Sequence, residues 1–169
     1  RDRIESRGLG DVYKRQILSH KIDGKFLKKG TVVLKLKAKT QSILAAERSA
    51  LNFLGLMSGI ATKANLFSKI AKPYGVKIFS TRKTIAGIRE LQKYALTKGG
   101  ANINRMTLDD FFFIKDNHIA NTTSIVDSIA QAKIFYPKKK ITVEVDNIKQ
   151  LKEIINEKID VVLLDNMNA

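Results

Sequence analysis

Short apolar runs separated by amphipathic stretches leave this chain few folds to choose from. Residues 76–79 (VKIF), 111–114 (FFFI), 141–145 (ITVEV) and 161–164 (VVLL) read as strands. Between and after them, residues 85–96, 124–135 and 148–156 carry apolar positions at helical spacing: Ile88, Leu91 and Ala95, then Ile125, Ile129 and Ala132, then Leu151 and Ile155. Strand and helix in strict alternation predict parallel βα units, in which helices cover the sheet. Gly99-Gly100 is placed to stop the first of these helices, and Thr122 or Thr123 to cap the second. No sequence repeat accompanies the alternation.

The first third of the chain reads differently. Residues 32–37 (VVLKLK) alternate in their C-terminal half like a strand with one wet face, and Gly24 and Gly30 bracket the approach as turn residues. A long helix is expected next, with Thr40 as its N-cap. Ile43, Ala46, Ala50, Leu54, Met57 and Ala61 form a stripe expected to be core, and Arg48 points off that stripe.

The polar residues then fall into line. Thr81-Arg82-Lys83 follows one strand, Lys115-Asp116 the next, Glu144 stands near the end of a third, and Asp165 ends a fourth. In parallel α/β folds the C-terminal strand ends face the active site. Charges in such apolar contexts are costly unless paired or used. Each one alone could be a local salt bridge or a helix cap; four strand ends together favour a site.

Charge asks for an anionic partner. Lys and Arg number 31 against 16 Asp and Glu, a formal net charge of +15. Nucleic acid, anionic lipid and a multiply charged small substrate all satisfy that. The longest basic run, Lys138-Lys139-Lys140, follows Pro137 and reads as a solvated turn. Without cysteine there is no disulfide, thiolate zinc site or thiol nucleophile, which agrees with a cytoplasmic setting. No apolar run reaches membrane-spanning length, and no membrane partner is expected. The two histidines, His20 and His118, do not suggest a zinc site.

The cations at the strand ends suit a substrate with several negative groups, since arginine binds carboxylates through a two-pronged fork. Glu144 and Asp165 suit a hard cation such as Mg²⁺, which holds phosphates through one or two carboxylates and waters. A polyphosphate held beside a basic pocket points to transfer chemistry driven by positioning and charge.

Five segments carry a resemblance. ERSALNFLGLMSGIAT (47–62), STRKTIAGIRELQKYAL (80–96), INRMTLDDFFFIKDNHI (103–119), VEVD (143–146) and LLDNM (163–167, within VLLDNM) resemble, in order and spacing, the quinolinate phosphoribosyltransferase family. The resemblance implies an α/β fold: a partial open TIM-like α/β barrel at 58–169, preceded at 17–57 by the remnant of an α/β sandwich domain and a connecting helix. It implies transfer of phosphoribose from phosphoribosyl pyrophosphate to quinolinate with loss of CO₂, assisted by Mg²⁺. The family works as a homodimer with a shared active site. By this resemblance Arg82, Arg105 and Lys115 hold the quinolinate carboxylates, and Arg48 reaches the neighbouring subunit's site. Lys83 meets phosphoribosyl pyrophosphate, while Glu144 and Asp165 serve the metal and the ribose hydroxyls. Nucleic acid is not expected as a partner.

Departures from the family pattern are few. Asn104 stands where a histidine is common before the arginine, which removes a possible positive charge from substrate binding. Ser80 replaces a frequent acidic residue, Ala86 a proline and Ala101 a glycine. Residues 1–16 lack periodicity and resemble translated adapter sequence; without them 26 basic residues still face 13 acidic ones, a charge of +13. The resemblance continues past residue 169 in the family, so the 169-residue chain is expected to be inactive alone. Competing readings are a basic nucleic-acid-binding domain, an altered-substrate phosphoribosyltransferase and a non-catalytic homologue.

Overall fold

The computed structural model describes residues 16–119 and 123–168. Two compact units divide the chain, Arg1–Asn104 and Arg105–Ala169. Within the segment expected to be non-native, 1–15 lie outside the described residues and Gln16 opens the first strand.

In the first unit, β1 (Gln16–His20) pairs antiparallel with β2 (Leu34–Lys37), with a register shift between Ile17 and Ser19. β1 was not legible because Ile17 and Leu18 are adjacent apolar residues without alternation. β2 is shorter than the expected 32–37, although the Lys21 amide still donates to the Val33 carbonyl at 2.9 Å. Gly24 and Gly30 both adopt φ +85°, the left-handed turn conformation expected of them.

Helix α1 (Thr40–Ala71) is capped by Lys39, which has extended backbone; Thr40 is its first helical residue and makes no cap hydrogen bond. The expected core stripe is only partly covered. Ala46, Ala50 and Leu54 are exposed, Ile43, Met57 and Ala61 are half-buried, and the buried residues are Ala64 and Ala71. Burial follows contact with a neighbour, and the neighbour here is α2 (Arg89–Lys98), which meets the C-terminal half of α1. Gly99 makes that approach possible. A Cβ there would lie 2.3 Å from the Ala61 carbonyl oxygen and 2.6 Å from the Ala64 Cβ.

A 3-10 turn (Lys72–Tyr74) with Pro73 near its start ends α1, and β3 (Phe79–Ser80) then pairs in parallel with β4 (Asn102–Ile103). The strand expected at 76–79 is confined to Phe79–Ser80, and the apolar Val76 and Phe79 are exposed, because β3 has β4 as its only strand neighbour among the described residues. The following helix starts at Arg89 rather than at 85, since Gly87 takes φ +79° and Ile88 φ −126°, ψ 22°, neither of them helical. Ala95 is buried as expected, Leu91 is not, and Lys93 is fully buried in its place.

The second unit follows its expected pattern closely. β5 (Phe112–Ile114), β6 (Ile141–Val145) and β7 (Val161–Leu164) form a parallel sheet in that order. Helices α3 (Asp116–Ile119), α4 (Ile125–Phe135) and α5 (Ile148–Ile154) join them. The core gathers Ile114, Ile141, Val143 and Val145 from the sheet with Ile125, Ile129, Ala132 and Ile154 from the helices. Each fully buried isoleucine contributes roughly 1.5–3 kcal/mol. The cap of α4 is Ser124, whose side chain accepts from the Asp127 amide at 3.1 Å; Thr123 does not cap it, and Thr122 lies outside the described residues. In α5, Ile154 points inward and Ile155 does not, because the helix ends there and Ile155 is its C-cap. The Lys138–Lys140 run is an exposed turn, as expected. Among the described residues no helix is long and apolar enough to cross a membrane.

Candidate active site

The pleat of the second unit sorts its side chains. Ile114 pairs with Val143, Val143 with Val162, and Val145 with Leu164. Register partners share a face and successive residues alternate, so these residues turn toward α4 and α5. The opposite face carries Phe113, Thr142, Glu144 and Leu163, which are likewise in register. The Asp165 amide donates to the Val145 carbonyl at 3.0 Å, so the ladder runs one residue past β7 and keeps Asp165 on that same face, diagonal to Glu144.

Lys115 completes this face. Its Nζ lies 3.1 Å from both Oε1 and Oε2 of Glu144, whose side chain is 12% exposed against 39% for the lysine. The same Nζ sits 5.0 Å from the Phe113 ring centroid, and the Arg105 guanidinium carbon sits 4.6 Å from it and 5.3 Å from that of Phe111. Both cations lie within reach of the negative quadrupole of this one ring. His118 acts as a loop-packing residue: its Nδ1 accepts from the Lys115 amide at 3.2 Å.

The turn after Arg105 is fixed by carboxylates. Asp110 accepts from the Met106 amide at 2.6 Å and from the Thr107 amide at 3.1 Å and hydroxyl at 2.7 Å. Asp109 is held below the usual carboxylate range, first by a hydrogen bond from Thr107, then by its own backbone amide and by Lys139.

The first unit carries Arg48, Arg82, Lys83 and Asn104. Arg82 and Lys83 follow β3 after Thr81, and Asn104 follows β4. The Lys83 amide donates to Thr81 Oγ1 at 3.2 Å, and Thr84 Oγ1 donates to the Arg82 carbonyl at 3.4 Å. Arg82 is half-buried, and its Nε makes no hydrogen bond among the described residues. Arg48 is exposed on α1, between the exposed Leu44 and Leu51 one turn to either side. Lys93, which the sequence reading passed over, reaches Ser80 Oγ at 3.2 Å from full burial. Its signal in the sequence was only its place between Leu91 and Ala95 on a helix.

Among the described residues no group of three His, Cys, Asp or Glu could cage a metal ion. Glu144 and Asp165 offer oxygen donors from one face, which fits a hard divalent ion whose remaining positions come from substrate and water. A cavity of about 370 Å³ lined by Phe112, Ile114, His118, Phe135 and Tyr136 lies near the helix side of the sheet and includes none of the predicted site residues.

The C-terminal domain model of quinolinate phosphoribosyl transferase matches residues 60–169, and its N-terminal domain model matches residues 12–58. The chain belongs to the quinolinate phosphoribosyl transferase family. The nicotinate-nucleotide pyrophosphorylase [carboxylating] of Mycobacterium leprae is 40% identical over 144 residues, covering 85% of this chain and 51% of that protein. A probable nicotinate-nucleotide pyrophosphorylase [carboxylating] of Methanocaldococcus jannaschii is 43% identical over 138 residues, covering 79% and 48%. The crystal structure of nicotinate-nucleotide pyrophosphorylase from Ehrlichia chaffeensis superposes with a TM-score of 0.86 at 39% identity, covering 92% of this chain and 56% of that one. The expected α/β class is borne out. The chain spans about half the length of the curated relatives it matches.

Proposed function

We propose that the protein carrying this chain transfers phosphoribose from phosphoribosyl pyrophosphate to quinolinate, releasing pyrophosphate and CO₂ and giving nicotinate mononucleotide for NAD biosynthesis. The observation that supports this reading is the contact of Lys115 with Glu144 on the face of the second unit to which strand alternation also assigns Asp165, in a family-matched segment.

In this reaction the pyridine nitrogen lone pair forms the bond to the anomeric carbon while the bond from that carbon to pyrophosphate breaks. The ring nitrogen becomes cationic. The bond to the 2-carboxylate then breaks, its electron pair stays on the adjacent ring carbon, which the cationic nitrogen stabilises, and that carbon takes a proton. Arg82, Arg105 and Lys115 bind the two carboxylates and hold the ring for attack. Lys83 binds the phosphates of the donor. Glu144, beside Lys115, keeps that ammonium in place and with Asp165 meets the ribose hydroxyls. The same two carboxylates would hold Mg²⁺, which neutralises charge on the departing pyrophosphate.

The protein works as a homodimer in the cytoplasm, with Arg48 reaching the neighbouring subunit's site. An exposed arginine flanked by exposed Leu44 and Leu51 supports a surface met by a partner.

The test is direct. The full product of the gene is expressed and nicotinate mononucleotide and CO₂ are followed from quinolinate, phosphoribosyl pyrophosphate and Mg²⁺, with nicotinate as control substrate. Turnover with quinolinate alone is expected. Turnover with nicotinate instead, without CO₂, would move the assignment to another pyridine carboxylate, a reading that Asn104 favours because it brings no positive charge.

A further inference from the structure

The loop that follows β3 is gripped from one face of α2. Lys93 Nζ donates to Ser80 Oγ at 3.2 Å, Gln92 Oε1 accepts from the Ile85 amide at 2.8 Å, and Arg89 Nε donates to Thr84 Oγ1 at 3.1 Å. Thr84 Oγ1 in turn donates to the carbonyl of Arg82. Arg89, Gln92 and Lys93 are spaced i, i+3 and i+4, so they share one helix face. Their partners flank Arg82 and Lys83 on both sides. The Arg82 Nε makes no hydrogen bond among the described residues, while the contacts from α2 act on the loop that carries it.

Lys93 is the strongest of the three contacts in kind. Its side chain is fully buried, and a buried ammonium is costly unless its hydrogen bonds are used. One of the bonds it uses is to Ser80, the last residue of β3, which ties down the point from which the loop departs.

From this geometry we infer that Lys93 is a positioning residue for substrate binding, acting through Ser80, with Arg89 and Gln92 completing the grip on the far side of the loop. The inference rests on the proposed role of Arg82 and Lys83 in holding substrate. Lys93 touches no substrate itself; it fixes where the two cations stand.

The experiment uses the full gene product in four forms: wild type, Ser80→Ala, Lys93→Met and the double variant. Amide hydrogen exchange is read at residues 81–84 and, as an internal reference, in β6. The KM for quinolinate and kcat are measured separately. Loss of the hydrogen bond in Ser80→Ala is expected to speed exchange at 81–84 by about tenfold and raise KM by about tenfold. Exchange in β6 and kcat stay nearly unchanged, and the double variant is no worse than the worse single variant. Unchanged exchange at 81–84 in folded Ser80→Ala overturns the inference, as do effects of the two substitutions that simply add. If Lys93→Met does not fold, Ser80→Ala decides alone, because it leaves the lysine in place. If the wild type shows no turnover of quinolinate, the proposed function fails while the exchange comparison still decides whether Lys93 fixes the loop.

Discussion

The Lys115 ammonium lies equidistant from the two carboxylate oxygens of Glu144, 3.1 Å from each, across adjacent parallel strands. Each oxygen gives one acceptor site to the ammonium and keeps another, on the face of the sheet that Asp165 shares. Glu144→Gln removes the charge and keeps the shape. Turnover of the full gene product is expected to fall by about a hundredfold or more, as when a preorganised charge is lost from an active site. Stability should fall by only about 1 kcal/mol, since Lys115 is more than a third exposed and water screens the pair. Steady-state kinetics beside urea denaturation separates the two effects; a large loss of stability with retained turnover would assign the pair to folding instead.

Arg82 gives a test of geometry against charge. Arg82→Lys preserves the cation but loses the planar fork. KM for quinolinate is expected to rise by about tenfold to a hundredfold, as for the loss of one to two charge-assisted hydrogen bonds, with the thermal midpoint nearly unchanged. An unaltered KM would remove Arg82 from the carboxylate site.

Asn104 allows a gain of function. Asn104→His supplies a group that is charged below about pH 6.5. The KM for quinolinate is expected to fall several-fold at pH 6 relative to wild type and to converge on the wild-type value by pH 8. Asn104→Gln, which gains no charge, serves as control and should show no such pH dependence.

A pH signature is also built into the first unit. Tyr94 Oη donates to Asp23 Oδ2 at 2.6 Å, and this bond, followed by burial and the carboxylate's charge, raises the tyrosine above its ordinary value of 10.0. A raised folded value means that the stabilisation is whole below the unfolded value and is lost as pH climbs through the folded one. The difference in thermal midpoint between wild type and Tyr94→Phe should therefore be constant from neutral pH to about pH 9 and shrink above about pH 10. A constant difference across that range would contradict the hydrogen bond.

Gly99→Ala tests the close approach of α1 and α2. The added methyl would meet the Ala61 carbonyl and Ala64, and overpacking of this kind costs roughly 1–3 kcal/mol. Chemical denaturation monitored on the first unit reads it.

The second unit was legible because its strands obey a simple code. Residues 141–145 and 161–164 were read with the observed bounds, and Ile125, Ile129 and Ala132 were correctly placed inward, since short β-branched-rich runs and a helical apolar stripe each keep one clear period here. The first unit was harder. β1 shows no alternation, β3 and β4 are two residues each, and α1 is apolar on several sides, so its period did not say which stripe meets a neighbour. Of the candidate site, Lys115, Glu144 and Asp165 were found by their position at strand ends. Lys93 was not, because a lysine on an amphipathic helix reads as solvated until the fold is seen around it.

The pleat that brings Lys115, Glu144 and Asp165 to one side imposes a rule of parity on the gene. Inserting or deleting one codon inside β6 would turn Glu144 toward the isoleucines and send Val143 or Val145 out to the polar side, whereas a two-codon change would keep odd and even positions where they are. Length variation among working versions of this protein should accordingly fall in the segments between strands, and inside a strand only in steps of two.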